Sequence, residues 1–206
     1  MPRLFSIAGF ALLAAIGAPA ETLDRIAVTV GRHVISERDV LEDIRVSAFL
    51  DGKASESSGD QKRKAADRLI DRYLVLEDAA LTRAALPSAA DIAAMLAPVK
   101  ARYGSEQEYR SALAQAQIGE VKLSEHLLAG LRMLRYTDLR FRPEVQLSEA
   151  EIRAYYDKLA PTQTFDASRD DIEKLLIDQR TLQALDRWLG MTRSETPILY
   201  REAVFK

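Results

Sequence analysis

Few residues in this 206-residue chain have the types or spacing for chemistry. Its two histidines, His33 and His126, stand far apart in sequence, and it has no cysteine. A zinc site takes three or four ligands, and neither histidine has a second one three or four residues away to share a helix face. Each imidazole therefore reads as a surface or half-buried side chain. Carboxylates occur as neighbours in Glu42-Asp43 and Asp170-Asp171. Adjacent side chains on a helix point in different directions, so these pairs read as solvated faces and not as an acid–base couple. The chain contains no nucleophile elbow, Walker loop, dinucleotide fingerprint or HExxH pair. No catalytic, cofactor-binding or metal-ligating residue is assigned, and no cofactor is expected.

The side chains left over are suited to binding. Trp188 lies at helical spacing beside Leu185 and Leu189 and reads as core. Tyr155 and Tyr156 are helical neighbours about 100° apart, so one faces inward and the other is free for a groove. Met95, Met133 and Met191 supply adaptable surface or core filler. Met95, Met133, Tyr155 and Tyr156 are the candidate residues for contacting a bound protein segment.

These side chains are positioned by helices framed with short strands. DRIAVTVGRHVIS, residues 24–36, alternates as two strands around a Gly31-Arg32 turn. Ser36 with Asp39 opens a helix, and DGKASESSGD at 51–60 predicts a mobile loop after it. A long amphipathic helix spans 61–85 and stops at Leu86-Pro87. Ser88 with Asp91 opens the next, with Gly104 as its left-handed cap. Ser105 with Glu108 starts a short helix broken at Ile118-Gly119. A helix over 121–139 carries Leu127, Leu128, Leu131 and Leu134 on one side. Ser148 starts another, and a last helix is predicted from Ser168 to the turn before Pro197. ILYREAVF at 198–205 reads as a strand. A lone hairpin is barely stable, so this strand is predicted to pair with residues 24–35. The fold class is mainly α, with a small N-terminal hairpin joined by a C-terminal strand.

Composition agrees with a globular chain, at 48% hydrophobic and 29% charged residues. Residues 1–20 have the layout of a cleavable signal peptide. Arg3 precedes the apolar run LFSIAGFALLAAIGA, and small residues lie at Ala18 and Ala20. Cleavage is expected after Ala20, which places residues 21–206 in the periplasm as one domain with no integral membrane segment. Losing Arg3 takes the formal net charge from −2 to about −3, which gives no basic footprint for nucleic acid.

Four stretches, in order, resemble the SurA-like family of periplasmic chaperones and prolyl isomerases. DRIAVTVGRHVISERDVLEDI at 24–44 is similar to its opening strand–turn–strand and helix start, with the match at Val34-Ile35-Ser36-Glu37-Arg38-Asp39. KRKAADRLIDRYLVLEDA resembles the family's next helix, through Leu69-Ile70, Leu74-Val75 and Ala79. LSEAEIRAYYDKL resembles the lead into a parvulin-type isomerase domain. FDASRDDIEKLLIDQRTLQALDRWLGMTRSETPILY resembles the helix and strand after such a domain. Only Ala160–Thr164 stands where the isomerase domain would be, so no catalytic residue carries over. The resemblance implies a chaperone core, with a module at 21–159 completed by a helix and strand at 165–206. It further implies an ATP-independent protein that holds unfolded or partly folded envelope and outer-membrane proteins without isomerase activity. A subunit dedicated to one envelope partner, or a degenerate isomerase, are the alternatives.

Overall fold

The computed structural model describes residues 24–81, 87–159 and 163–205. The predicted leader and its cleavage point after Ala20 lie outside them. Strands β1 (Ile26–Val30) and β2 (His33–Ser36) form an antiparallel hairpin. Its two-residue turn has Gly31 at φ +56°, and only Gly31 of the two turn residues has a positive φ. Glycine at the first central position is the requirement of a type II′ turn, whose twist matches the flanking strands. Strand β3 (Ile198–Tyr200) pairs antiparallel with β1, giving the order β2-β1-β3. The C-terminal strand thus joins the hairpin, as the marginal stability of a lone hairpin implied.

This strand is shorter than the sequence suggests. Arg201 N still donates to Ala27 O at 2.8 Å, but residues 202–204 then turn in a 3₁₀ helix. That turn buries Val204 in the core, which an extended chain leaving the sheet would not do.

The helices are α1 (Glu37–Asp51), α2 (Gly59–Leu81), α3 (Ala89–Lys100), α4 (Glu106–Gln115), α5 (Glu120–Phe141), α6 (Glu149–Lys158) and α7 (Phe165–Glu195). Ser36, Ser88 and Ser148 form complete capping boxes with Asp39, Asp91 and Glu151. Each box satisfies two amide donors that would otherwise be orphaned at a helix start. Ser105 caps α4, but Glu108 reaches past it to Gly104 N at 3.0 Å. Gly104 has no positive φ and is not a left-handed cap; α3 ends instead at Ala101 in the right-handed region. A Cβ at Gly104 would stand 3.1 Å from the Glu108 carboxylate, which would have to give by a few tenths of an ångström. The left-handed cap belongs instead to Gly52, at φ +66°, which closes α1.

Two further boundaries differ from the sequence pattern. Helix α4 ends with Gln117 at φ +56°, while Ile118 N reaches back to Leu113 O at 3.1 Å. That is a Schellman-type end with glutamine where glycine is usual, and Gly119 begins α5 instead of breaking α4. Helix α7 starts at Phe165 under a Thr164 cap, a turn before Ser168. Its 31 residues span about 46 Å.

Two apolar clusters form. In the larger, Val28, Val30 and Ile35 of the sheet meet Val40 and Ile44 of α1, the inner face of α2, and the C-terminal ends of α5 and α7. Trp188 packs half-buried on this cluster against Tyr136 and Phe141. The smaller joins Val46 and Phe49, from the second half of α1, to Val99, Tyr109, Leu113 and Leu123. Burying each such aliphatic side chain contributes about 1.5–3 kcal/mol. No helix among the described residues is long and apolar enough to cross a membrane.

Candidate functional site

A cleft of about 490 Å³ opens where α1, α2 and α5 converge beside β2. Its residues follow helical periodicity on each element. Asp39, Glu42, Asp43 and Val46 lie along one face of α1, and Leu69, Arg72, Tyr73, Leu76 and Glu77 along one face of α2. Lys122, Glu125, His126 and Arg132 supply the α5 wall. Half-buried Leu69 and Leu76 provide apolar surface between these charged groups, above the buried Ile35 and Val46.

The fold brings the two histidines to this one cleft. His33, at the start of β2, stacks on the Tyr73 ring with centroids 4.1 Å apart and planes 3° apart. Tyr73 is held from its other end by Glu77, to which its hydroxyl donates at 3.0 Å. His126 faces a different group of residues. Its Nδ1 lies 3.5 Å from Arg72 Nη2 and 3.7 Å from Asp43 Oδ1. Burial lowers its pKa, Arg72 lowers it further, and Asp43 opposes both. The imidazole is thereby held neutral, with Nδ1 turned to the guanidinium as an acceptor.

Asp43 overturns the reading of Glu42-Asp43 as a solvated face. Its side chain is only 1% exposed. Arg68 donates to one carboxylate oxygen from Nε at 3.0 Å and Nη2 at 2.6 Å, and Arg72 donates to the other at 3.1 Å. A buried carboxylate must be paired, and two guanidiniums one turn apart on α2 supply the pairing. Those arginines at i and i+4, set on a helix face that also carries Leu69 and Leu76, were the available signal. Glu42 stays near the surface and approaches Lys122 at 3.7 Å, with Lys122 also 3.1 Å from Glu125. Asp170 does lie on a solvated face, with its side chain 92% exposed.

None of the four side chains singled out for client contact lines this cleft. Met133 packs half-buried against the larger apolar cluster, and Met95 is half-buried on α3. Tyr156 closes the α6–α7 hairpin, its hydroxyl donating to Gln163 O at 2.6 Å and its ring edge-on to Phe165 at 5.4 Å. Tyr155 is half-buried beside it in sequence. Among the described residues no group of three or more His, Asp or Glu side chains is arranged to hold a metal ion.

Asp43 has its lone pairs committed to arginines, and His126 has its Nδ1 turned to one of them. What remains accessible is apolar surface bordered by charges of both signs. Searches of family models and of curated proteins find no match for the chain.

Proposed function

We propose that the chain is an exported, ATP-independent chaperone-like protein that binds unfolded or partly folded envelope and outer-membrane proteins. It acts without prolyl isomerase chemistry. The observation that carries this reading is the α1–α2–α5 cleft, with Leu69 and Leu76 half-exposed between charged groups. A protein that holds non-native chains needs apolar surface that stays hydrated at its margins, and this cleft has that layout. The hairpin, the capped helices and the returning β3 agree with the frame that the sequence resemblance to the SurA-like family implies. The test is suppression of aggregation of an unfolded outer-membrane β-barrel protein by residues 21–206 without ATP. Suppression near one-to-one supports the proposal, and failure across several clients with a folded protein overturns it.

A second reading is favoured by the cleft's size. About 490 Å³ accommodates one short segment and is far smaller than a groove for long chains. The chain would then be a dedicated partner-binding or assembly subunit of the envelope. Pull-down separates the two readings, since a general holdase brings many envelope proteins and a dedicated subunit brings one. An assay of cis/trans exchange at Xaa-Pro addresses the remaining alternative of a degenerate isomerase, and clear catalysis would establish it.

A further inference from the structure

A second cleft, of about 400 Å³, lies at the far end of α1, formed by α1, the connection after it, Tyr103 and α4. We propose that it binds an organic carboxylate with a small apolar or aromatic body, held by Arg45.

Arg45 and Arg132 are the half-buried arginines without a partner among the described residues, and of the two only Arg45 has an Nε closed to solvent with no acceptor. Arg68, Arg72 and Arg193 all end on carboxylates. An unpaired, partly dehydrated guanidinium is costly, and an anion supplied from outside relieves that cost.

The surroundings select the anion's character. No Asp or Glu lines this cleft, and Lys53 adds a second positive charge. Lys53 is already 3.3 Å from Asp51, which leaves one fully available cation and so favours a monoanion over a phosphate dianion. The partial negative charge at the end of α1 is covered. Lys53 N donates to Ala48 O at 2.9 Å, Gly52 N to Phe49 O at 3.2 Å, and Arg102 Nη1 to Leu50 O at 2.5 Å. The Ser55 hydroxyl and the Gln115 amide, both without partners among the described residues, add neutral donors to the wall. Phe49 and Tyr103, with ring centroids 6.2 Å apart, and the methyl groups of Ala48, Ala112 and Ala116 provide an apolar lining for the ligand's body. A planar guanidinium matches a carboxylate two bonds at a time, which gives the head group its specificity.

Such a carboxylate comes either from a free small acid or from the C-terminus of a peptide. This inference stands apart from the chaperone reading, because the site does not share a lining residue with the α1–α2–α5 cleft.

The test is an NMR titration of the isotope-labelled protein, following the Arg45 Nε–H and the Ser55 amide. The probes are N-acetylphenylalanine, its amide, and a five-residue peptide ending in phenylalanine with a free or an amidated C-terminus. The free acid is expected to shift both signals and to bind roughly tenfold tighter than the amide, since only the acid forms charge-assisted bonds. Arg45→Gln is expected to remove that preference, and Arg45→Lys to keep part of it, with circular dichroism checking the fold of each. Binding of the free-acid peptide as well identifies a peptide C-terminus as a source, and binding of the small acid alone identifies a free acid. Equal affinity for acid and amide, or no binding of either by the folded wild-type protein, overturns the proposal without recourse to a variant.

Discussion

Asp43 is the residue on which the α1–α2–α5 cleft depends, because Arg68, Arg72 and His126 all converge on it. Asp43→Ala leaves two guanidiniums without their carboxylate. The expected cost is about 3 kcal/mol, the low end for a broken buried pair because Arg68 still reaches water. Urea unfolding measures this, and a loss under about 1 kcal/mol would mean that the arginines find water readily. His126 makes the same cluster sensitive to pH. Its folded pKa lies below the ordinary 6.5, through burial first and Arg72 second, so the unfolded chain binds more protons as the medium becomes acidic. Its contribution to stability is therefore present above about pH 6.5 and is lost as pH falls through the folded value. Asp43 and Glu42 from α1, Arg68 and Arg72 from α2, and Lys122 and Glu125 from α5 surround this imidazole or share its cleft. The expected result is a urea midpoint that declines as pH falls below about 6.5 in the wild type and declines less in His126→Gln. Identical slopes would remove His126 from the account. This burial of Asp43 was hard to read in sequence because burial of an acid depends on partners 25 and 29 residues away.

At the scale of elements, the caps and the strand alternation were legible, since both are set by residues within a few positions of each other. Ser36, Ser88 and Ser148 opened helices where their sequence neighbours said they would. What was not legible is which side of a long helix meets a neighbour. Leu134 belongs to the leucine stripe of α5 but is 58% exposed, while Leu123 and Tyr136 are buried. The reason is tertiary: α5 contacts different partners along its length, with Lys100–Glu120 at 2.8 Å and Arg135–Asp91 at 2.5 Å tying α3 across it. Helix ends are similarly undetermined where a non-glycine residue takes the left-handed region. Gln117 does so at φ +56°, and Gln117→Gly is expected to stabilise the protein by about 0.5 kcal/mol in thermal or urea unfolding. Destabilisation would show that the glutamine side chain has a compensating role. Helix α6 offers a second check. Arg180 and Ser148 hold the Glu151 carboxyl down to about 2, so this capping box keeps its charge far into acid. Ser148→Ala is expected to cost about 1 kcal/mol and to speed hydrogen exchange in the first turn of α6 while leaving α2 unchanged.

For the molecule as a whole, the sheet brings the beginning and end of the described chain together, and the α1–α2–α5 cleft lies beside it. Arg193 Nε donates to Asp71 at 2.7 Å and the Tyr200 hydroxyl to Asp67 at 2.5 Å, so the C-terminal segment is tied to α2, the same helix that forms one wall of the cleft. Burial and that hydrogen bond push the Tyr200 hydroxyl up to about 12, so it remains a donor at any physiological pH. If this cleft holds non-native segments, its apolar surface should matter while exposed apolar residues elsewhere should not. Leu76 lines it half-buried, and Met191 lies on α7 with 59% exposure outside it. Leu76→Lys puts a hydrated cation into that apolar surface and removes contact with a bound apolar side chain, worth about 1.5–3 kcal/mol. The expected outcome is a loss of roughly tenfold or more in affinity for an unfolded β-barrel client, measured by aggregation suppression and by titration with a fluorescent client. Met191→Lys should leave both unchanged. Equal loss in the two variants would mean that holding is spread over the surface, and no loss in either would place the client-binding surface elsewhere.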